Sequence, residues 1–127
     1  MKRFDVDISD IEEAIQKTNE AVMKRVDARH ELLELRRHLE TFKVAAIQLT
    51  TLREDFERGN ITAEDYQVQS KKLRTDMERA RNDANLLSLI DKIVISRRES
   101  LLQRAKNAIT NNKEFIITVL EIVKALI

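Results

Sequence analysis

Cysteine, proline and tryptophan are absent from the sequence, and glycine occurs once, at Gly59. Without cysteine, the chain has no disulfide, no thiolate metal ligand and no thiol nucleophile, which fits a reducing compartment. No apolar run reaches the ~18 residues that span a bilayer, and the acids Asp5 and Asp7 stand where a signal peptide would be apolar. We therefore expect a cytoplasmic protein with neither a signal peptide nor a membrane span.

The motifs of common catalytic sites are missing as well. The sequence has no glycine-rich phosphate loop and no serine nucleophile set in a sharp turn with histidine and acid partners. His30, Glu34 and His38 share one helix face, but a di-iron bundle needs Glu-x-x-His on a second helix, and none follows. We predict that the protein is not an enzyme and that it has no catalytic residue, metal site, cofactor or small-molecule substrate.

Charged and helix-forming residues are abundant. Charged residues make up 35% of the chain, yet the formal net charge is only +1. This balance is typical of solvated helix faces and argues against a polybasic nucleic-acid-binding protein. Together with the low aromatic content, it predicts a single all-α domain built from long helices.

One stretch, residues 58–62, is predicted to reverse the chain. Gly59 suits the left-handed residue that ends a helix. Thr62 suits the N-cap of the next helix, with Asp65 in the capping-box position. Ile61 and Tyr66 occupy the two positions of a hydrophobic staple. A helix, a turn and a second helix are therefore expected here.

The residues around this turn also resemble a known motif. The stretch from Leu52 to Leu73, through Arg58-Gly59-Asn60-Ile61-Thr62-Ala63-Glu64-Asp65-Tyr66, is similar to the turn of many short helical hairpins, including the SHOCT-type oligomerisation modules. In this chain, unlike in that family, the turn lies mid-chain between very long predicted helices. The resemblance implies a helix-turn-helix at this place and no particular function.

The residues on either side of the turn pair in a regular pattern. The first helix is expected to start at the capping box of Ser9 and Glu12 and to end near residue 58, and the second to run from 63 to about 110. If the chain folds back at Asn60, positions whose numbers sum to about 122 face each other. The layers one heptad apart are apolar on both sides and predict an antiparallel coiled coil over residues 9–110: Phe56/Tyr66, Leu49/Leu73, Phe42/Ala80, Leu35/Leu87, Ala28/Val94, Ala21/Leu101 and Ala14/Ala108.

Basic residues gather at the open end of this predicted hairpin. Lys24, Arg25 and Arg29 of the first helix would lie across from Arg97 and Arg98 of the second. Two interpretations are open. Either the stems pack while the charged groups reach solvent or nearby acids, or the group binds an anion such as phosphate, nucleic acid or the carboxylates of a partner.

The segment 111–127 is the most apolar part of the chain. Asn111 can cap a third helix, with Glu114 in the capping-box position; an unbroken second helix running to Ile127 is the alternative. A helix that is apolar nearly all round is buried nearly all round. We therefore predict that it folds back on the open end of the hairpin and meets a second subunit, a homodimer being favoured. The predicted oligomer interface comprises Leu86, Leu89, Ile93, Phe115, Ile116, Val119, Leu120, Ile122, Val123, Leu126 and Ile127.

Residues 1–8 differ from the rest, because Phe4, Val6 and Ile8 alternate with charged residues at the period of a strand. They are predicted to form a flexible arm or to pair with a partner chain.

These patterns favour a non-enzymatic structural or adaptor protein, a scaffold that assembles with a second copy or with another helical protein by helix packing. The alternative is a scaffold that associates with nucleic acid or a membrane surface through Arg25, Arg29, Arg97, Arg98 and the C-terminal helix. Salt separates the two, since phosphate contacts weaken steeply with ionic strength.

Overall fold

A computed structural model describes residues 7–93, 95–108 and 110–127. Over these residues the protein is all-α, as predicted from composition. Its α-helices are α1 (Ile8–Lys24), α2 (Arg29–Glu57), α3 (Ala63–Asp83), α4 (Leu86–Ile90), α5 (Ile95–Ala108) and α6 (Asn112–Leu126), and a 3-10 turn at Val26–Ala28 joins α1 to α2.

The turn between α2 and α3 has the predicted left-handed glycine and the predicted N-cap. Gly59 has a positive φ of 79°, which most side chains would strain. The Thr62 hydroxyl accepts a 3.0 Å hydrogen bond from the Asp65 backbone N–H and so caps α3. Beside it, the rings of Phe56 and Tyr66 stack with centroids 4.5 Å apart. The chain therefore reverses here, and α2 packs against α3.

The predicted start of the first helix is wrong by two residues. α1 begins at Ile8, with Asp7 as its N-cap residue, so Ser9 lies inside the helix and Ser9 and Glu12 form no capping box. The Asp7 carbonyl accepts hydrogen bonds from the backbone N–H groups of Asp10 and Ile11, which closes the first turn without a side-chain cap. Ile8 is therefore helical and not part of a strand. Residues 1–6 of the predicted arm lie outside the described part of the chain.

The first long helix is interrupted, contrary to the prediction. Arg25 leaves the helical conformation with φ −119° and ψ 85°, and the chain folds back so that α1 lies along α2. Two contacts give the register: Lys43 pairs with Glu12 at 3.1 Å, and Arg36 donates to Asn19 at 2.9 Å. In both pairs the residue numbers sum to 55, so α1 and α2 are antiparallel. The chain reverses at residues 25–28, which we call the α1–α2 joint.

The second long helix is interrupted as well. α3 ends at Asp83, and Asn85 takes a left-handed conformation with φ 53°. This turn resets the helical phase, so α4 buries Leu86 and Leu89 and leaves Leu87 54% exposed. The predicted Leu35/Leu87 layer is therefore wrong, since Leu35 is fully buried. Val94 of the Ala28/Val94 layer lies outside the described residues.

The remaining predicted layers are consistent with the structure near the Gly59 turn, but not beyond the point where α1 folds back. Near the turn, the members of Leu49/Leu73 and Phe42/Ala80 are all buried, consistent with the predicted pairing. At the other end, Ala14 and Ala21 are buried, but α1 has α2 and α6 as its main neighbours in place of α5. The long hairpin of the sequence is thus shortened to the α2–α3 pair.

The C-terminal helix closes the core, as predicted. The Asn111 side chain accepts a 3.0 Å hydrogen bond from the Glu114 backbone N–H and caps α6, so the alternative of an unbroken second helix is wrong. α6 packs against α1 and α5. The Phe115 ring lies 5.3 Å from the Phe42 ring of α2, measured between centroids. The central core therefore lies where α1, α2 and α6 meet.

Within the described residues, no helix combines the length and the hydrophobicity that crossing a lipid bilayer requires.

Candidate functional site

Part of the α2–α3 pair extends beyond the rest of the protein. In the α1–α2 register, Ile8 lies beside residue 47, so α1 does not cover α2 past that point. Residues 47–57 of α2 and 63–76 of α3 therefore form a two-helix arm, with the Gly59 turn at its tip. Leu49, Leu52, Ser70 and Leu73 are buried between the two helices of the arm. An arm stabilised by two helices alone leaves long side faces open to a partner.

One side face of this pair carries a continuous groove. Two sections, with volumes of about 470 and 360 Å³, meet at Gln48 of α2. From Arg37 to Asp55 the groove follows α2 for roughly 27 Å at 1.5 Å per residue. Its residues are Arg37, Glu40, Thr41, Val44, Ala45, Ile47, Gln48, Thr51, Leu52 and Asp55 of α2, and Gln69, Lys72, Leu73 and Asp76 of α3. We call this surface the α2–α3 groove.

The groove contains exposed apolar side chains. Val44 is 53% exposed and Ile47 is 42% exposed, three residues apart on one face of α2. Both lie outside the heptad stripe of α2, so the sequence pattern of paired layers did not select them. A search for apolar residues spaced i, i+3 outside the stripe would have found them.

The predicted oligomer interface is mostly buried within the single chain. α6 and the α3–α5 connection are packed against their own chain. These side chains are therefore already covered without the second subunit that was predicted from the sequence. Leu120 is partly buried, and Ile127 is 41% exposed. The others are buried: Leu86, Leu89, Ile93, Phe115, Ile116, Val119, Ile122, Val123 and Leu126.

The predicted cationic group is not arranged as a free anion site around Arg25. The Arg25 guanidinium donates two 2.9 Å hydrogen bonds to the Asp27 carboxylate and one of 3.3 Å to the Lys92 carbonyl oxygen. Lys24 and Arg29 are exposed and Arg98 is partly buried. The Arg97 side chain lies outside the described residues. Arg25 therefore links the α1–α2 joint to Lys92, in the segment that follows α4.

This ion pair has a measurable electrostatic consequence. Its hydrogen bonds from Arg25 lower the pKa of Asp27 below the ordinary 3.8, and Arg25 in turn has a raised pKa. Because the folded-state pKa of Asp27 is depressed, the ion pair stabilises the joint fully above pH 3.8. This stabilisation is lost as the pH falls through the pKa that Asp27 has in the folded protein.

We expect a carboxyl-carbon NMR titration of Asp27 to give a midpoint below 3.8, and Arg25→Ala to raise it. Arg29→Ala is the control and should leave the midpoint unchanged. A midpoint that does not respond to Arg25→Ala would show that the pair does not form in solution.

The histidine face does not form a cluster of metal ligands. A cavity of about 260 Å³ is lined by His30, Glu31, Glu34 and Asp83, among others. Glu34 accepts a 2.7 Å hydrogen bond from Arg37, which lowers the pKa of Glu34. Among residues 7–93, 95–108 and 110–127, no three histidine or carboxylate groups are close enough together to hold a metal ion.

Comparison with known proteins gives no family for this chain: neither protein-family models, nor curated sequences, nor solved structures show a match.

Proposed function

We propose that this protein is a non-enzymatic assembly module that binds a helix of another chain in the α2–α3 groove. The observation that carries the proposal is the groove itself, which begins at Arg37, where α1 also packs on α2, and continues along the arm that the rest of the fold leaves uncovered. In this view the α2–α3 pair acts as a short antiparallel coiled coil, and the partner helix completes a three-helix packing. A second copy of the chain is the favoured partner.

The chemistry of the groove supports a helical partner. Apolar side chains at its floor, such as Leu52 and Leu73, are flanked by charges of both signs, including Lys72 and Asp76. A partner helix with an apolar stripe and mixed flanking charges would be complementary to this surface. The length of roughly 27 Å corresponds to about five helical turns.

A scaffold for nucleic acid or membrane surfaces is favoured less. Arg25, which this alternative requires as a cation, already donates hydrogen bonds to Asp27 and to the Lys92 carbonyl oxygen. The groove has no aromatic residue for base stacking, and its charges nearly cancel. Assembly through the groove should persist at high salt, whereas phosphate contacts would be lost.

We expect Val44→Glu and Ile47→Glu each to weaken self-association at least tenfold, because a buried carboxylate without a partner costs well over 1.4 kcal/mol. Sedimentation equilibrium over a concentration series measures this effect. Circular dichroism should show an unchanged fold, since both side chains are exposed in the single chain.

Val68→Glu is the matched control, because Val68 is 70% exposed on α3 but does not line the groove. It should associate as the unsubstituted chain does. If all three substitutions weaken association equally, or if none does, the groove is not the assembly surface.

A further inference from the structure

The α1–α2 joint, residues 25–28, interrupts a helix whose apolar stripe continues through it. On both sides of the joint the stripe residues alternate spacings of three and four, with Ala45 and Leu52 buried beside the stripe. Ala21 and Ala28 are seven apart, one heptad. The stripe therefore has the phase of a single helix. Its members are Ile11, Ala14, Thr18, Ala21, Ala28, Leu32, Leu35, Leu39, Phe42, Ala46 and Leu49, all buried.

The folded-back arrangement does not require this phase. α1 and α2 run in opposite directions on either side of the joint, so their stripes could be offset by any number of residues that the turn allows. A stripe in phase across the joint is what a continuous helix over residues 8–57 would need.

The joint itself has no residue that prevents a continuous helix. It contains neither glycine nor proline. Two of its residues leave the helical conformation, Arg25 with φ −119° and ψ 85° and Ala28 with φ −116° and ψ 10°. Val26 is 70% exposed, so it gains no burial from the turn. The contacts that favour the folded-back form are those of Arg25 with Asp27 and the Lys92 carbonyl.

We propose that the joint straightens and that two copies of the chain exchange α1. In the exchanged dimer, α1 of each copy packs on α2 and α6 of the other through the same contacts that it makes within one chain. The residue numbers of the Glu12/Lys43 and Asn19/Arg36 pairs each sum to 55. The two-fold axis of the exchanged dimer therefore passes through the joint. The small side chain of Ala28 lies beside this axis and lets the two helices approach.

Exchange preserves packing that other rearrangements would lose. A continuous hairpin over residues 9–110 within one chain would require the joints after α3 and α4 to straighten as well, and would take α1 away from α6. Exchange changes the conformation of one joint only, and every buried face of α1 keeps its cover. The inference rests on the proposed assembly function, since the partner is a second copy, but it does not use the α2–α3 groove.

Crosslinking between two differently labelled chains tests the exchange. The chain has no cysteine, so Asn19→Cys and Arg36→Cys each carry a single thiol. The two variants are mixed, unfolded, refolded together at high concentration and treated with a short bismaleimide. Exchange is expected to give a covalent heterodimer on a denaturing gel, because residue 19 of one copy lies beside residue 36 of the other. Asn19→Cys mixed with Lys71→Cys is the control and should give none.

Substitutions at Arg25 and Val26 test whether the joint becomes helical in the dimer. Val26→Pro suits the turn, because Val26 is the first residue of the 3-10 helix and the preceding Arg25 is not helical, with φ −119° and ψ 85°. In a continuous helix, proline removes a hydrogen bond and clashes with the preceding turn, so dimerisation should weaken roughly a hundredfold or more. Val26→Ala and Arg25→Ala should leave dimerisation unchanged or strengthen it.

The results separate this inference from the proposed function. A dimer whose double variant, Asn19→Cys with Arg36→Cys, crosslinks only within single chains would overturn the exchange and leave assembly through the groove standing. A chain that is monomeric at all concentrations would contradict both. A dimer that Val26→Pro abolishes and Val44→Glu does not would support exchange.

Discussion

Phe115→Ala is expected to cost about 3–5 kcal/mol of unfolding free energy, the largest loss of any single truncation considered for this protein. Phe115 is fully buried, and its ring lies 5.3 Å from the Phe42 ring of α2. Removing it leaves a cavity at the point where α6 closes the core over α1 and α2. Urea unfolding followed by circular dichroism measures the change.

Phe56→Ala is the matched control, because it also removes a ring from an aromatic pair. Phe56 is 38% exposed at the tip of the arm and stacks on Tyr66. Its truncation should cost less than about 2 kcal/mol. Equal losses for the two variants would mean that α6 is not docked in the core of the single chain.

Thr118→Val is expected to stabilise the protein by about 1–2 kcal/mol, a direction opposite to most core substitutions. Thr118 is fully buried in α6, and its hydroxyl has no hydrogen-bond partner among the described residues. Valine has nearly the same shape and removes the unsatisfied polar atom. Equilibrium unfolding of the two chains under identical conditions checks the sign.

Thr18→Val provides the comparison, since Thr18 is equally buried but its hydroxyl donates a 2.7 Å hydrogen bond to the Ala14 carbonyl. This substitution should be neutral or cost up to about 1 kcal/mol. If Thr18→Val and Thr118→Val shift stability in the same direction by the same amount, the buried hydroxyl of Thr118 is satisfied in solution.

Two of the three predicted helix caps formed, and the Ser9/Glu12 cap of the first helix did not. Gly59 with Thr62, and Asn111 with Glu114, each combine a conformational or capping preference with its nearest neighbours, and both caps form as expected. Such signals depend on interactions within a few residues, which the sequence shows directly. The all-α fold and the return of α6 to the core follow from the same local patterns and from the apolar content of residues 111–127.

The two long helices were predicted as unbroken because their joints carry no glycine or proline. At Arg25 and Asn85 tertiary packing prevails over local preference: α1 gains the cover of α2 and α6, and α4 buries Leu86 and Leu89. A heptad stripe indicates which face of a helix is apolar, but not which other helix packs against that face. For this reason the predicted interface residues of α6 were found buried within the chain, and the α2–α3 groove was missed.

The cover of α1 by both α2 and α6 has a consequence for folding during synthesis. α1, α2 and α3 are neighbours in sequence and can fold together early, but the face of α1 that packs on α6 stays bare until residues 112–126 have left the ribosome. Through this interval the nascent chain presents an apolar surface that α6 covers later. Two chains synthesised side by side on one messenger would meet in that state.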